Sequence, residues 1–161
     1  MNIFEYAMQM EQDGETFYRD LAAKTTMPGM DRIFTMLADD EVKHRKTLQA
    51  LRDAADTDMA ETTVLTDAKN VFHTIDPGQL EAAADASEAD LYREALDIEK
   101  KSRAFYSEKA DEVDSPAQRD ILQAIAAEEA RHIHLLEHMI EFLSRPQSWV
   151  EDAEFNHLEE Y

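Results

Sequence analysis

Cysteine is absent from the 161 residues. That excludes disulfides, iron–sulfur clusters, thiolate zinc sites and a cysteine nucleophile. Glycine and proline are scarce, with three and four copies. A chain so poor in helix breakers and so rich in Ala, Glu, Leu and Met is expected to be all-α. Long apolar runs are missing too. The longest are a few residues, such as Ile121-Leu122 and Leu135-Leu136, whereas a membrane helix needs about 20. The first residues, Met1-Asn2-Ile3-Phe4-Glu5, lack a basic region followed by an apolar one and do not read as a secretory signal. Basic charge is in short supply: 16 Lys and Arg face 36 Asp and Glu, for a net charge of −20. Such a surface repels phosphate backbones and anionic lipid, which argues against nucleic acid and membranes as partners. Most of these charges read as a solvated face. The expectation is a cytoplasmic, soluble protein whose length fits one domain.

Apolar residues recur at helical spacing in four segments. The first runs from about Asn2 to Lys24, with Phe4, Ala7, Met8, Phe17, Tyr18, Leu21 and Ala22 on one stripe. The second runs from near Pro28 to about Ala54, using Ile33, Phe34, Leu37, Ala38, Leu48 and Leu51. The third spans roughly Ser87 to Asp111, through Leu91, Tyr92, Ala95, Leu96, Phe105 and Tyr106. The fourth begins at Ser115-Pro116 and ends near Ser144, with Ile121, Leu122, Ile125, Ile133, Leu136 and Ile140. Asn2 with Glu5 and Ser87 with Asp90 have N-cap spacing, and Ser115-Pro116 is a cap followed by a first-turn proline. The breaks at Thr25–Gly29 and Asp114–Pro116 are short, so each flanking pair is predicted to form an antiparallel hairpin, over residues 2–54 and 87–144. A long polar stretch, 55–86, is read as the crossover between them within a domain of residues 1–145. The tail, 146–161, carries Trp149, Phe155 and Tyr161, whose aromatics suggest that it docks somewhere.

The two hairpins repeat one another. A shift of 88 residues takes Ala7 to Ala95, Glu11 to Glu99, Phe17-Tyr18 to Phe105-Tyr106, and Pro28 to Pro116. It also takes Ile33 to Ile121, Ala38 to Ala126, Glu41 to Glu129, His44 to His132 and Leu48 to Leu136, with no gap. Two similar hairpins packed face to face with approximate two-fold symmetry are expected.

Inside the apolar stripes stand Glu11, Glu41 and His44, and their repeats Glu99, Glu129 and His132. A carboxylate in a bundle core is costly unless paired or bound to a metal, and four together repel. Two divalent ions carry four positive charges, which balances four carboxylates and two neutral imidazoles. The heights agree. Glu11 lies 16 residues before Met27, while Glu41 and His44 lie 14 and 17 after it, and the second hairpin has the same offsets around Ser115. At about 1.5 Å rise per residue these positions share one level of an antiparallel hairpin. Glu and His three apart address the same metal pair. Mixed carboxylate and imidazole donors suit iron or manganese and do not meet soft-metal preferences for thiolate.

One Glu on each of two helices, plus Glu-x-x-His on each of the other two, resembles the ferritin-like di-iron carboxylate proteins. Within them, Ala7-x-x-x-Glu11-x-x-Gly14-x-x-Phe17-Tyr18 and Glu41-x-x-His44 are most similar to the rubrerythrin family, over roughly residues 2 to 143. The resemblance implies a ferritin-like four-helix bundle in which Glu41 and Glu129 bridge two iron ions. Glu11 and His44 would complete one site, and Glu99 and His132 the other; manganese or zinc would suit the same donors. Tyr18 and Tyr106 lie seven residues past the first Glu of each half, where they either bond to ligand carboxylates or serve as ordinary core aromatics. With Glu41 and Glu129 they are the catalytic candidates. Two departures stand out. No rubredoxin module with its four cysteines is present, so the electrons of an oxidoreductase would come from an external donor, such as a rubredoxin-like protein, or from substrate iron. Rubrerythrins also carry an extra carboxylate three residues after the third-helix ligand, and here that position is Ser102.

The resulting expectation is a di-iron oxidoreductase, a homodimer, that reduces hydrogen peroxide or dioxygen as a peroxidase or ferroxidase. Iron storage without turnover of another substrate is the alternative, and a scaffold with a vestigial site is a third reading, disfavoured by six intact ligands. Glu15 is read as surface or support, since its repeat partner is Arg103. Asp40 and Glu128 are predicted to point about 100° away from the bridging carboxylates, towards solvent. His73, His134, His138 and His157 are read as surface or crossover residues, and the eight methionines as core filler.

Overall fold

The computed structural model describes residues 3–53 and 86–144. They form four helices: α1 (Ile3–Lys24), α2 (Met30–Arg52), α3 (Ala86–Glu112) and α4 (Pro116–Ser144). Helix α1 packs along α2 and α3 along α4, so each expected hairpin is present and the two close into an all-α four-helix bundle. The crossover, the tail, and the candidates His73 and His157 lie outside the described residues.

The helix ends follow from local chemistry. Ser115 caps α4, its Oγ accepting the Gln118 backbone N–H at 3.3 Å, and Pro116 occupies the first helical position. Helix α2 begins two residues later than expected, at Met30, because Gly29 takes a left-handed φ of 81° that a side chain would resist. The turn before it is tied to the other hairpin. Thr26 donates to Glu88 Oε2 at 3.1 Å, Tyr92 donates to Glu88 Oε1 at 3.0 Å, and Thr25 donates to the same carboxylate. Glu88 is thus buried yet well supplied with donors.

The interior has two apolar layers. One gathers Tyr18, Leu21, Met27, Met30, Ile33, Phe34 and Leu37 with Tyr92, Leu135, Leu136, Met139 and Phe142. Within it Phe34 stacks on Tyr18 and meets Tyr92 edge-on, joining the halves. The other, smaller layer holds Ala7, Leu48, Tyr106, Ala110, Leu122, Ile125 and Ala126. Between the two lies the level at which the helix arithmetic places the acidic residues. No helix among the described residues is long and apolar enough to cross a membrane.

Candidate metal centre

All six predicted metal-ligating residues meet at that level. Glu11, Glu41, Glu99, Glu129, His44 and His132 are each at most 4% exposed. They form two groups of four, Glu11–Glu41–His44–Glu129 and Glu41–Glu99–Glu129–His132, within each of which one donor atom per residue lies within 4.8 Å of the others. Glu41 and Glu129 belong to both. Each helix contributes where its stripe passes the level: Glu11 from α1, Glu41 and His44 from α2, Glu99 from α3, Glu129 and His132 from α4.

Both imidazoles aim Nδ1 inward. His44 Nδ1 lies 3.3 Å from Glu11 Oε2 and 3.5 Å from Glu129 Oε1. His132 Nδ1 lies 3.1 Å from Glu129 Oε2, 3.4 Å from Glu99 Oε1 and 3.6 Å from Glu41 Oε1. Their outer nitrogens bind carboxylates from the opposite hairpin. His44 Nε2 donates to Glu128 Oε2 at 2.7 Å, and His132 Nε2 donates to Asp40 Oδ2 at 2.9 Å. Lys43 donates to Glu128 Oε1 at 2.8 Å.

Asp40 and Glu128 therefore do not point to solvent; Glu128 is 1% exposed. A rotation of about 100° from the bundle axis is correct for both, but on α2 and α4 it faces the neighbouring helix. The signal that finds them is in the repeat: a shift of 88 converts Asp40 into Glu128, an acidic residue before the central Glu in both halves.

The tyrosines follow the same reciprocal pattern. Tyr18 donates to Glu99 Oε1 and Tyr106 to Glu11 Oε1, each hydroxyl crossing to the other hairpin. Of their two readings, as anchors of carboxylates or as core aromatics, both hold: each ring belongs to an apolar layer and each hydroxyl reaches the acidic level. Ser102 donates to Glu129 Oε1 at 2.9 Å. Glu15 stays peripheral, held by Arg45 at 2.7 Å and Arg19 at 3.2 Å. His134 and His138 are half-buried and pack edge-on with ring centres 4.5 Å apart, and neither belongs to the two donor groups.

The donor set fits divalent ions. Glu41 Oε1, Glu129 Oε2 and His132 Nδ1 are buried atoms with no hydrogen-bond partner among the described residues, and all face the shared interior. Buried polar atoms are normally satisfied, so three orphans converging on one point mark a place for a ligand. A cavity of about 700 Å³ between α1 and α3 reaches this point, with Glu41 and Glu99 in its wall.

Without a metal, protons must carry the balancing charge. Burial, then the neighbouring Glu129, pushes Glu99 up from 4.5 to about 8. Burial and Glu11 likewise raise Glu41 well above its usual range. Burial disfavours the charged imidazoles, but contact with Glu11, Glu128 and Glu129 outweighs it and raises His44 well above its usual value. His132 is raised in the same way by Glu99, Asp40 and Glu129. Burial also opposes ionisation of Glu129, yet the adjacent His132 and His44 imidazoles hold it well below the usual carboxylate range. Groups held protonated in the fold but not in the unfolded chain contribute stability that is lost as pH rises. The metal-free protein is therefore expected to lose thermal stability between pH 4.5 and pH 8, the span of the Glu99 shift. Calorimetry at low ionic strength checks this, and added divalent metal should remove most of the slope by replacing the protons.

A search of curated proteins found no match. A hypothetical protein from Pyrococcus furiosus of known structure has a similar fold, with a TM-score of 0.64 at 19% identity, covering 88% of this chain and 87% of that one. The model of the rubrerythrin family matches residues 2–140. That match takes in both hairpins and all six residues of the centre, and the chain belongs to the rubrerythrin family.

Proposed function

We propose that the protein is a non-haem di-iron oxidoreductase that reduces hydrogen peroxide, or dioxygen, at this centre. The observation that carries the reading is the pair of four-residue groups sharing Glu41 and Glu129. Glu41 and Glu129, common to both groups, would be shared by two ions, with Glu11 and His44 holding one and Glu99 and His132 the other. Carboxylate and imidazole donors without sulfur favour iron, with manganese or zinc as competitors. Reduction of one hydrogen peroxide to two waters consumes two electrons and two protons, and an iron pair passing from ferrous to ferric supplies the electrons when bound.

The remaining work belongs to the chain. Glu128 and Asp40 accept the Nε2 protons of His44 and His132, fixing each ring with Nδ1 free to bind and raising its basicity. Tyr18 and Tyr106 hold the outer carboxylates in place, and their hydroxyl protons are close enough to reach Glu99 and Glu11. The two apolar layers keep bulk water from above and below the centre. The cavity between α1 and α3 gives a small oxidant its path to Glu41 and Glu99. Reducing equivalents come from a separate electron donor, and the working form is a cytoplasmic homodimer.

Two measurements test this reading. Anaerobic protein loaded with ferrous iron and mixed with peroxide or oxygen in a stopped-flow instrument should oxidise faster with peroxide. Faster reaction with oxygen and iron uptake continuing past two per chain would favour a ferroxidase or storage role, and no oxidation by either would overturn the proposal. Glu128→Gln should weaken ferrous affinity by about 10- to 100-fold while helix content stays the same, because His44 loses its charged partner. Unchanged affinity would remove Glu128 from the centre.

A further inference from the structure

Three of the four central carboxylates are held by a hydroxyl. Tyr106 donates to Glu11, Tyr18 to Glu99 and Ser102 to Glu129. Among the described residues no hydroxyl donates to Glu41, and its Oε1 has no hydrogen-bond partner there. The difference lies at one pair of repeat-related positions. The shift of 88 that superposes the hairpins takes Gly14 to Ser102. In the second half the position supplies a donor to the bridging carboxylate. In the first half it supplies nothing, and Glu41 leans into the space: a Cβ on Gly14 would lie 3.2 Å from Glu41 Oε2 and 3.4 Å from its Cδ.

The same side of the centre is the open one. The cavity of about 700 Å³ between α1 and α3 is walled by Gly14, Tyr18, Glu41, Glu99 and Ser102. A small ligand arriving through it therefore meets the least anchored carboxylate, beside a glycine that leaves room for movement.

We propose that Gly14 and Ser102 divide the duties of the two bridging carboxylates, so that Glu41 gives way when a small anion enters while Glu129 stays fixed. Gly14 is on this view a positioning residue that acts through Glu41. The inference rests on the two-metal reading and adds a direction to a site whose ligand set is otherwise symmetric. A serine at position 14 would tie Glu41 as Ser102 ties Glu129, and would narrow the cavity wall at the same time.

The test uses the full chain loaded with cobalt(II), whose visible spectrum reports ligand exchange without turnover, and azide as the small anion. Cobalt stoichiometry is measured first, and fewer than two ions per chain in the unaltered protein would sink the two-metal reading itself. With two ions bound, Gly14→Ser is expected to weaken azide binding by about tenfold or more, the scale of one added bond to a charged group. Gly14→Ala, which adds bulk without a donor, should weaken it less. Ser102→Ala, which releases Glu129 instead of tying down Glu41, should not weaken azide binding. Azide binding unaffected by Gly14→Ser in a protein that still holds two cobalt ions would overturn the inference, as would an equal loss in Ser102→Ala.

Discussion

Four carboxylates and two imidazoles share one level of a helical bundle with almost no access to water. Burying a single ion without compensation costs several kcal/mol even after the protein relaxes, and like charges add to that. The metal-free protein meets the cost with protons on Glu41, Glu99, His44 and His132, while the imidazoles hold Glu129 ionised. A pair of divalent ions meets it more completely. The apolar layers on either side, the crossed tyrosines and the outer carboxylates all serve to hold this charge in a fixed geometry. A bundle of this size would be easier to stabilise with a wholly apolar middle. Six ionisable groups retained there fit a site built to hold metal.

Duplication accounts for how the centre is assembled. The tyrosine and outer-carboxylate contacts all cross from one hairpin to the other: Tyr18 to Glu99 and Tyr106 to Glu11, Asp40 to His132 and Glu128 to His44. Neither hairpin completes its own half, so the site forms only when both pack together. Glu88 reinforces the joint at one end by accepting from Thr25, Thr26 and Tyr92. Against this reciprocity Gly14 and Ser102 are the break, and it falls on the side where the cavity opens.

Much of this was legible in the chain alone. Helical spacing, the Ser115 cap and the short breaks defined the four helices to within two residues or so, and the 88-residue repeat made the pairing plain. The six central residues followed because charged side chains on an apolar stripe need a reason. Periodicity failed at Asp40 and Glu128, since an angle around one helix does not say whether solvent or another helix lies there. The Glu88 tie was hidden for a related reason. It links positions more than 60 apart in sequence through a turn, and no spacing rule brings them together. The Tyr18 and Tyr106 contacts were half visible: their level was readable from seven-residue spacing, their crossing to the opposite hairpin was not.

The most direct measurement is anomalous diffraction at the iron edge from crystals loaded anaerobically with ferrous iron. Two peaks per chain are expected, each with one nitrogen of His44 or His132 and oxygens of both Glu41 and Glu129 at bonding distance, about 2.0–2.2 Å. A single peak, or peaks that leave Glu41 and Glu129 without a shared metal contact, would contradict a bridged two-metal centre.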